Sequence, residues 1–176
     1  MHGATISTTG RAADELVGRA PFIDYVARLM APTSPVRAVL LHGAAGIGKS
    51  ALGAAITERW RADGGLVEAV SAGSLRPRAR QTDRTAPRLL LVDAGAAPLP
   101  TDAAAWFALL FSLRTQDRVL ILARVAVPLP LDGARVAVRR VGGLAGDDAD
   151  ALLARHGVAL DRRTAVAQWA AGSPLH

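Results

Sequence analysis

The sequence predicts an α/β domain with a mainly parallel, five-stranded sheet flanked by helices, followed by the start of a C-terminal helical subdomain. Short apolar runs alternate along the chain with segments of helical periodicity, and this alternation is typical of a parallel sheet. Alanine, leucine and valine supply most of the 51% hydrophobic content, while 17 glycines and 10 prolines separate many short elements. With 176 residues the chain is long enough to bury a core of its own.

The individual elements follow from these patterns in chain order. The first helix is predicted over residues 21–30, because Pro21 suits the start of a helix and apolar residues follow at helical spacing. Two further helices are predicted at 49–62 and 102–114, the second capped by Asp102. The five predicted strands are short apolar runs at residues 37–42, 66–70, 88–93, 118–124 and 134–141.

The chain is predicted to have three parts. They are a flexible N-terminal tail over residues 1–15, a nucleotide-binding domain over 16–143 and the beginning of a helical lid subdomain over 144–176. In the third part the periodicity becomes helical, and Asp147 and Asp161 are predicted to cap two helices. Trp169 is predicted to face inward from the second of them.

Composition excludes several classes of protein. The chain has no cysteine, so disulfides and thiolate metal sites are excluded. No apolar run approaches the roughly 18 residues that span a bilayer, and the N-terminus lacks a targeting pattern, so we expect a cytoplasmic protein without a membrane partner. The formal charge of +6 is scattered among acidic residues and does not by itself establish nucleic-acid binding. Residues 71–87 hold four arginines and no periodicity, which indicates a loop.

One motif carries most of the predicted chemistry. The segment Gly43-Ala44-Ala45-Gly46-Ile47-Gly48-Lys49-Ser50 satisfies the pattern G-x-x-x-x-G-K-[ST], with an apolar strand before it and a helix after it. In such a P-loop, glycines let successive backbone N–H groups point into one anion-sized hollow, and the N-terminal end of the helix adds positive charge. We therefore predict that these residues, together with Ala51, bind the phosphates of ATP or ADP with Mg²⁺.

Lys49 and Ser50 have separate predicted roles within this motif. Lys49 is the only lysine in the chain, and the other 20 of the 21 basic residues are arginines. A compact ammonium group has been kept at a position where the planar fork of arginine is not equivalent. We expect Lys49 to neutralise the β- and γ-phosphates and the Ser50 hydroxyl to bind Mg²⁺.

Two further residues are predicted to serve the phosphates and the metal. Asp93 ends the apolar run LLLVD in the manner of a Walker B carboxylate, a second anchor for Mg²⁺. Arg124 ends the fourth predicted strand beside the expected γ-phosphate, where a guanidinium can sense or stabilise charge. Hydrolysis stays open, because the residue after Asp93 is Ala94, which cannot orient water. Either another carboxylate supplies that role, Asp102 being the nearest in sequence, or turnover is slow.

Several segments, in this order, resemble the motifs of STAND-type signal-transduction ATPases, which are relatives of the AAA+ proteins. They are Leu16-Val-Gly-Arg19, the loop GAAGIGKS, the strand LLLVD, the arginine of VLILAR and the closing Gly172-Ser173-Pro174-Leu175. Together they look most like NB-ARC switches and the ATPase modules of large LuxR-type regulators. The resemblance implies that Val17, Gly18 and Arg19 border the adenine and that Pro174 touches the base from a helical lid. The chain departs from the family at Ala20 and Ala94, where acids are usual.

The predicted function is therefore an ATP-binding, nucleotide-dependent switch domain of a STAND-type regulator. The resemblance implies effector and sensor domains, or a signalling partner, outside this chain. Two alternatives stay open: an oligomeric AAA+-like ATPase, and a hydrolysis-deficient nucleotide-binding module whose basic loop at 71–87 binds an acidic partner or nucleic acid. A small-molecule kinase is disfavoured, since the sequence has no acceptor-site motif.

Overall fold

The fold is taken from a computed structural model that describes residues 16–72, 75, 85–95, 99–111, 113–126, 135–144 and 146–170. The predicted tail at 1–15 lies outside the described residues, and so does most of the predicted loop at 71–87. The closing Gly-Ser-Pro-Leu segment, with Pro174, lies outside them as well.

Within the described part of the chain there are five strands and five helices. The strands are β1 (Ala38–His42), β2 (Leu66–Ser71), β3 (Arg88–Asp93), β4 (Arg118–Ala123) and β5 (Val136–Arg140). The helices are α1 (Ala20–Met30), α2 (Lys49–Ala62), α3 (Ala103–Phe111), α4 (Gly146–Arg155) and α5 (Leu160–Trp169). All five predicted strands are present, each within two residues of its predicted bounds.

The five strands form one sheet in the order β2-β3-β4-β1-β5, and every pairing between them is parallel. The prediction of a mainly parallel sheet flanked by helices is therefore confirmed. Strand β4 lies between β1 and β3, with His42 opposite Ala123 and Asp93 opposite Leu122. Because parallel strands end at the same edge, the segments after β1, β3 and β4 meet at one edge of the sheet.

Both faces of the sheet are covered, which explains why its central strands read as continuous apolar runs. On one face α1 and α2 pack against alternate strand residues, among them Leu41 and Leu122. On the other face α3 packs against the residues between them, among them Leu40 and Ile121. Trp106 of α3 is 1% exposed, and its indole Nε1 donates a hydrogen bond to the Pro100 carbonyl at 2.7 Å.

A buried polar cluster holds the opposite, amino-terminal edge of the sheet. The guanidinium of Arg118 is buried and donates to the carbonyls of Ala31, Pro32 and Ser34 at 2.8, 2.7 and 2.9 Å, which fixes the turn between α1 and β1. The neighbouring Asp117 carboxylate accepts hydrogen bonds from the backbone N–H groups of Arg88 and Arg114 at 2.9 and 3.0 Å, and from the Arg114 guanidinium. These bonds link the starts of β3 and β4.

Three details of the predicted helices are wrong. Asp147 and Asp161 lie in the first turns of α4 and α5 and are not their caps, since α4 begins at Gly146 and the cap of α5 is Ala159, which makes no side-chain hydrogen bond to the helix. Trp169 is 74% exposed, although Ala170 beside it is buried. The apolar residues of α5 do not form one stripe, so the sequence does not specify which face turns inward.

Candidate functional site

The glycine-rich loop connects β1 to α2 at the carboxyl edge of the sheet. Gly46 and Gly48 have φ values of 76° and 96°, in the left-handed region that favours glycine. Gly48 is the N-cap of α2, and no side chain caps that helix. The first amide groups of a 14-residue helix are therefore left to bind a ligand, and the helix dipole favours an anion there.

The side chain of Lys49 lies over this loop. Its ammonium Nζ donates hydrogen bonds to the carbonyls of Gly43 and Ala44, at 2.9 and 2.8 Å. Burial of the ammonium lowers the pKa of Lys49, the positive charge of Arg124 lowers that pKa further, and the negative charge of Asp93 raises it. The three charged residues that were predicted to serve the phosphates therefore share one electrostatic environment.

The strands explain why these charges meet. Successive residues of a strand point to opposite faces. Leu89 and Leu122 belong to the core on the side of α2, so Asp93 at the end of β3 and Arg124 just after β4 continue on that same side. Both are exposed, and one oxygen of Asp93 accepts a hydrogen bond from the Gly95 N–H at 2.8 Å.

Ala94 lies on the other side of the sheet and belongs to the core around α3. It is 5% exposed, and its N–H donates to the Leu122 carbonyl at 2.9 Å. The position that follows Asp93 is thus packed against apolar side chains. The other carboxylate that the sequence offered for water activation, Asp102, accepts a hydrogen bond from the Ala104 N–H at 2.9 Å and so caps α3, as predicted.

A cleft of about 320 Å³ opens beside the loop. One wall is the turn before α1, with Val17 and Arg19, and the floor is the loop with the first residues of α2. The third wall comes from the C-terminal part of the described chain. It consists of Leu144, Leu152 and His156. The cleft therefore joins the glycine-rich loop to an apolar recess.

A larger cleft of about 530 Å³ lies between the C-terminal ends of α1 and α2, near Asp63 and Pro87. This is the opposite end of α2 from the glycine-rich loop. Among the described residues that line it, none is a predicted site residue. We assign the candidate site to the smaller cleft, because only there do helix amides, a lysine and an apolar recess adjoin.

Arg19 joins three segments around the smaller cleft. One nitrogen of its guanidinium, Nη2, donates to the Gly142 carbonyl at 2.7 Å and makes a longer contact with the Ile47 carbonyl at 3.4 Å. Burial lowers the pKa of Arg19, while the carboxylate of Asp148 in α4 raises it. The preceding Gly18 has a φ of 68°. The Asp148 side chain packs against Gly18 and occupies the space that a Cβ at this position would need.

The structure thus brings most of the predicted site residues together. Residues 43–51 form the loop and the start of α2, and Lys49, Asp93 and Arg124 lie near one another at the edge of the sheet. Pro174 lies outside the described residues. The sequence did not reveal Asp148, Leu152 and His156 as neighbours of the site. Residues 148 and 152 share one face of α4, and His156 follows the end of that helix at the same spacing of four. That spacing is informative only once α4 is known to adjoin the cleft.

The residues present fit a divalent metal with a polyphosphate. Mg²⁺ commonly takes one or two protein oxygens and completes its shell with phosphate and water. The chain offers the Ser50 hydroxyl at the start of α2 and the exposed Asp93 carboxylate. Within the described ranges, no three histidine or acidic side chains cluster as a metal site that could hold an ion without a phosphate.

No family model matches the sequence, and no curated protein matches it either. Solved structures do resemble it in fold. A STAND protein with a tetratricopeptide repeat sensor from Pyrococcus horikoshii has 15% identity and a TM-score of 0.56, over 90% of this chain and 28% of that one. The replication initiator DnaA bound to AMPPCP and single-stranded DNA has 14% identity and a TM-score of 0.59, over 91% and 58%. Trip13 from Rhizobiales has 14% identity and a TM-score of 0.57, over 89% and 76%.

These likenesses show that the chain shares the fold of these solved structures, an α/β fold with a parallel sheet flanked by helices. The chain spans less than two thirds of the length of the STAND and DnaA structures. None of the helices in the described ranges combines the length and apolar character that a membrane crossing requires.

Proposed function

We propose that this chain binds Mg·ATP and Mg·ADP at the glycine-rich loop and acts as a nucleotide-dependent switch domain. The observation that carries the proposal is the uncapped N-terminal end of α2, with the only lysine of the chain over it and an apolar cleft beside it. Free helix amides and one ammonium group can bind the negatively charged phosphate chain of a nucleotide, and an apolar recess can bind its base.

Each charged residue has a distinct role in this proposal. Lys49 exchanges its bonds to the loop carbonyls for bonds to the β- and γ-phosphates. Ser50 and Asp93 hold Mg²⁺, which neutralises part of the phosphate charge when it is bound. Arg124 distinguishes ATP from ADP, because a guanidinium at the end of β4 gains a strong contact only when the terminal phosphate is present.

The switch arises from the position of α4, which we propose begins a lid over residues 144–176 that follows a nucleotide-binding domain at 16–143. A ligand shifts a conformational equilibrium only by binding one state better than the other. Leu152 and His156 of this lid line the same cleft as the loop, so a bound nucleotide contacts both parts. Effector and sensor domains, or a signalling partner outside this chain, would receive the change.

Hydrolysis is proposed to be slow. Ala94 is packed in the apolar core and Asp102 caps α3, so neither candidate position supplies a base beside the loop. We expect steady-state turnover well below the roughly 1 per second at the lower end of typical enzymes. Turnover above that rate, measured beside the ATP affinity, would show that another group orients the water.

The test is a calorimetric titration of Mg·ATP into the wild-type chain and two variants. Lys49→Ala is expected to weaken binding by roughly a hundredfold or more, because it removes charged hydrogen bonds to two phosphates. The matched control is Arg61→Ala, which removes an exposed cation from the last turn of the same helix. Equal affinity in Lys49→Ala and Arg61→Ala would refute the phosphate assignment.

An oligomeric ATPase is the second candidate, because the DnaA and Trip13 structures match the fold as well as the STAND structure does. This candidate requires subunits to assemble when ATP is bound. Light scattering with and without Mg·ATP separates the two. A mass that stays that of one chain favours the switch, whereas ATP-driven growth of the particle favours the oligomer.

A further inference from the structure

Arg19 lines the cleft beside the glycine-rich loop, and its guanidinium also bonds to two backbone carbonyls of the protein. Its guanidinium Nη2 donates to the Gly142 carbonyl at 2.7 Å and contacts the Ile47 carbonyl at 3.4 Å. Ile47 belongs to the phosphate-binding loop. The N–H of Val141 still donates a sheet-like hydrogen bond to the His42 carbonyl at 2.7 Å. Gly142 is therefore the first residue after the sheet, at the start of the connection to α4.

The contact with Ile47 is joined through one peptide unit to a backbone N–H of the glycine-rich loop. A peptide unit is planar and trans, so the Ile47 carbonyl and the Gly48 N–H lie in one rigid plane and point in opposite directions. A phosphate that rotates the Gly48 N–H toward itself therefore turns the Ile47 carbonyl as well. The 3.4 Å separation between that carbonyl and Arg19 is long for a hydrogen bond, which leaves room for it to shorten.

The other end of the connection reaches α4. Asp148 in the first turn of α4 lies against Gly18 and close enough to Arg19 for its charge to act on the guanidinium. No side chain of α4 or α5, both described over their full lengths, is fully buried. The contact of Asp148 with Gly18 therefore acts beside the partly buried Leu152 in positioning this helix against the loop.

We infer that Arg19 and Asp148 form a junction that transmits the occupancy of the phosphate-binding loop to the position of α4. This inference rests on the proposed nucleotide binding and specifies how that site is coupled to the lid. Arg19 is in this view a positioning residue. It senses the rotation of the Ile47–Gly48 peptide and passes it to Gly142 and Asp148, so α4 responds to phosphate without touching it.

Hydrogen exchange of the full chain with and without Mg·ATP tests the junction. In the wild type we expect ATP to slow exchange in residues 43–51 and to change exchange in α4 by roughly five- to tenfold, at the lower end of the usual coupling between sites. Because Arg19 also lines the cleft, Arg19→Gln is compared at Mg·ATP concentrations that give residues 43–51 the same protection as in the wild type, and there we expect the response of α4 to be lost. Arg28→Gln, which removes an exposed cation from α1, is the matched control and should behave as the wild type.

A second variant guards against misfolding of Arg19→Gln. Asp148 is exposed, so Asp148→Asn should fold, and it should diminish the response of α4 while leaving the loop protected. An undiminished response of α4 in both variants would overturn the junction. Absence of ATP protection at residues 43–51 in the wild type would instead overturn the proposed nucleotide binding, so the two failures are distinguishable.

Discussion

The sheet with α1 to α3, and the helical pair α4–α5, are held by different kinds of contact. The sheet has two apolar cores, and side chains such as Val39, Leu120 and Trp106 are almost fully buried. The helical pair has no fully buried side chain within its two helices, and an ion pair between Arg163 and Asp150 at 3.2 Å links one helix to the other. Burial fixes one geometry, whereas a few polar contacts allow a helix pair to be repositioned by a ligand.

The largest expected contrast is between the tryptophans of the two regions. Trp106→Ala should lower the free energy of unfolding by about 3–5 kcal/mol, because it leaves a cavity in the core under α3. Trp169→Ala should cost less than about 1 kcal/mol, since that side chain is 74% exposed. Urea unfolding of both variants measures the difference. Similar losses would mean that α5 is as firmly packed as the sheet.

The next largest effect is expected in the buried polar cluster at the amino-terminal edge of the sheet. Asp117→Asn should cost about 3 kcal/mol, because it leaves Arg114 and Arg88 beside a buried neutral amide. Burial alone would raise the pKa of the Asp117 carboxyl, but hydrogen bonds from Arg114 and Arg88 outweigh it and hold the pKa below its usual value. Its contribution should therefore be complete above about pH 4 and be lost as the pH falls below that.

This pH dependence gives the control for the same variant. Urea midpoints of the wild type should fall on acidification more steeply than those of Asp117→Asn, so the two curves should converge at low pH. Parallel curves would show that the Asp117 carboxylate does not stabilise the sheet through its charge.

A smaller effect is expected where the two regions touch. Gly18→Ala combines a left-handed φ of 68° with a clash against Asp148, whereas Gly64→Ala has a similar φ of 83° and open space around the new methyl group. The conformational cost shared by both variants is about 1–2 kcal/mol. Thermal unfolding should therefore show a larger loss of stability for Gly18→Ala than for Gly64→Ala. In a calorimetric titration, we expect only Gly18→Ala to change the affinity for ATP.

The smallest effect is expected inside the helical pair. Arg163→Ala removes the half-exposed ion pair with Asp150 and a hydrogen bond to the Val158 carbonyl, and should cost about 0.5–1 kcal/mol. Hydrogen exchange should detect the loss in α4 and α5 while the strands keep their protection. Faster exchange in β1 or β4 would mean that the two regions unfold as one unit.

The same contrast explains how much the sequence predicts. The central strands β1, β3 and β4 are predicted correctly because they are short apolar runs that are largely buried between two layers of helices. The position of the glycine-rich loop between β1 and α2 is predicted correctly because its motif requires a strand before it and a helix after it. Trp169 was misjudged because α5 lacks one apolar stripe, so hydrophobicity does not define its inner face.

The neighbours of the loop are not evident from the sequence for a different reason. Arg19 and Gly142 are far apart in the chain, and their bond involves a backbone carbonyl, which leaves no mark on residue identity. Asp148 adjoins Gly18 only because the connection after β5 returns α4 to the same edge of the sheet. Such contacts depend on where helices dock, which local patterns do not specify.

Recognition of a phosphate chain by the loop at 43–51 can be measured as the affinities of the chain for Mg·ATP, Mg·ADP, AMP and adenosine. ATP and ADP should bind at least about a hundredfold more tightly than AMP and adenosine, because their longer phosphate chains extend to the helix amides and Lys49. If AMP or adenosine binds as tightly as ATP, the loop does not recognise the phosphate chain.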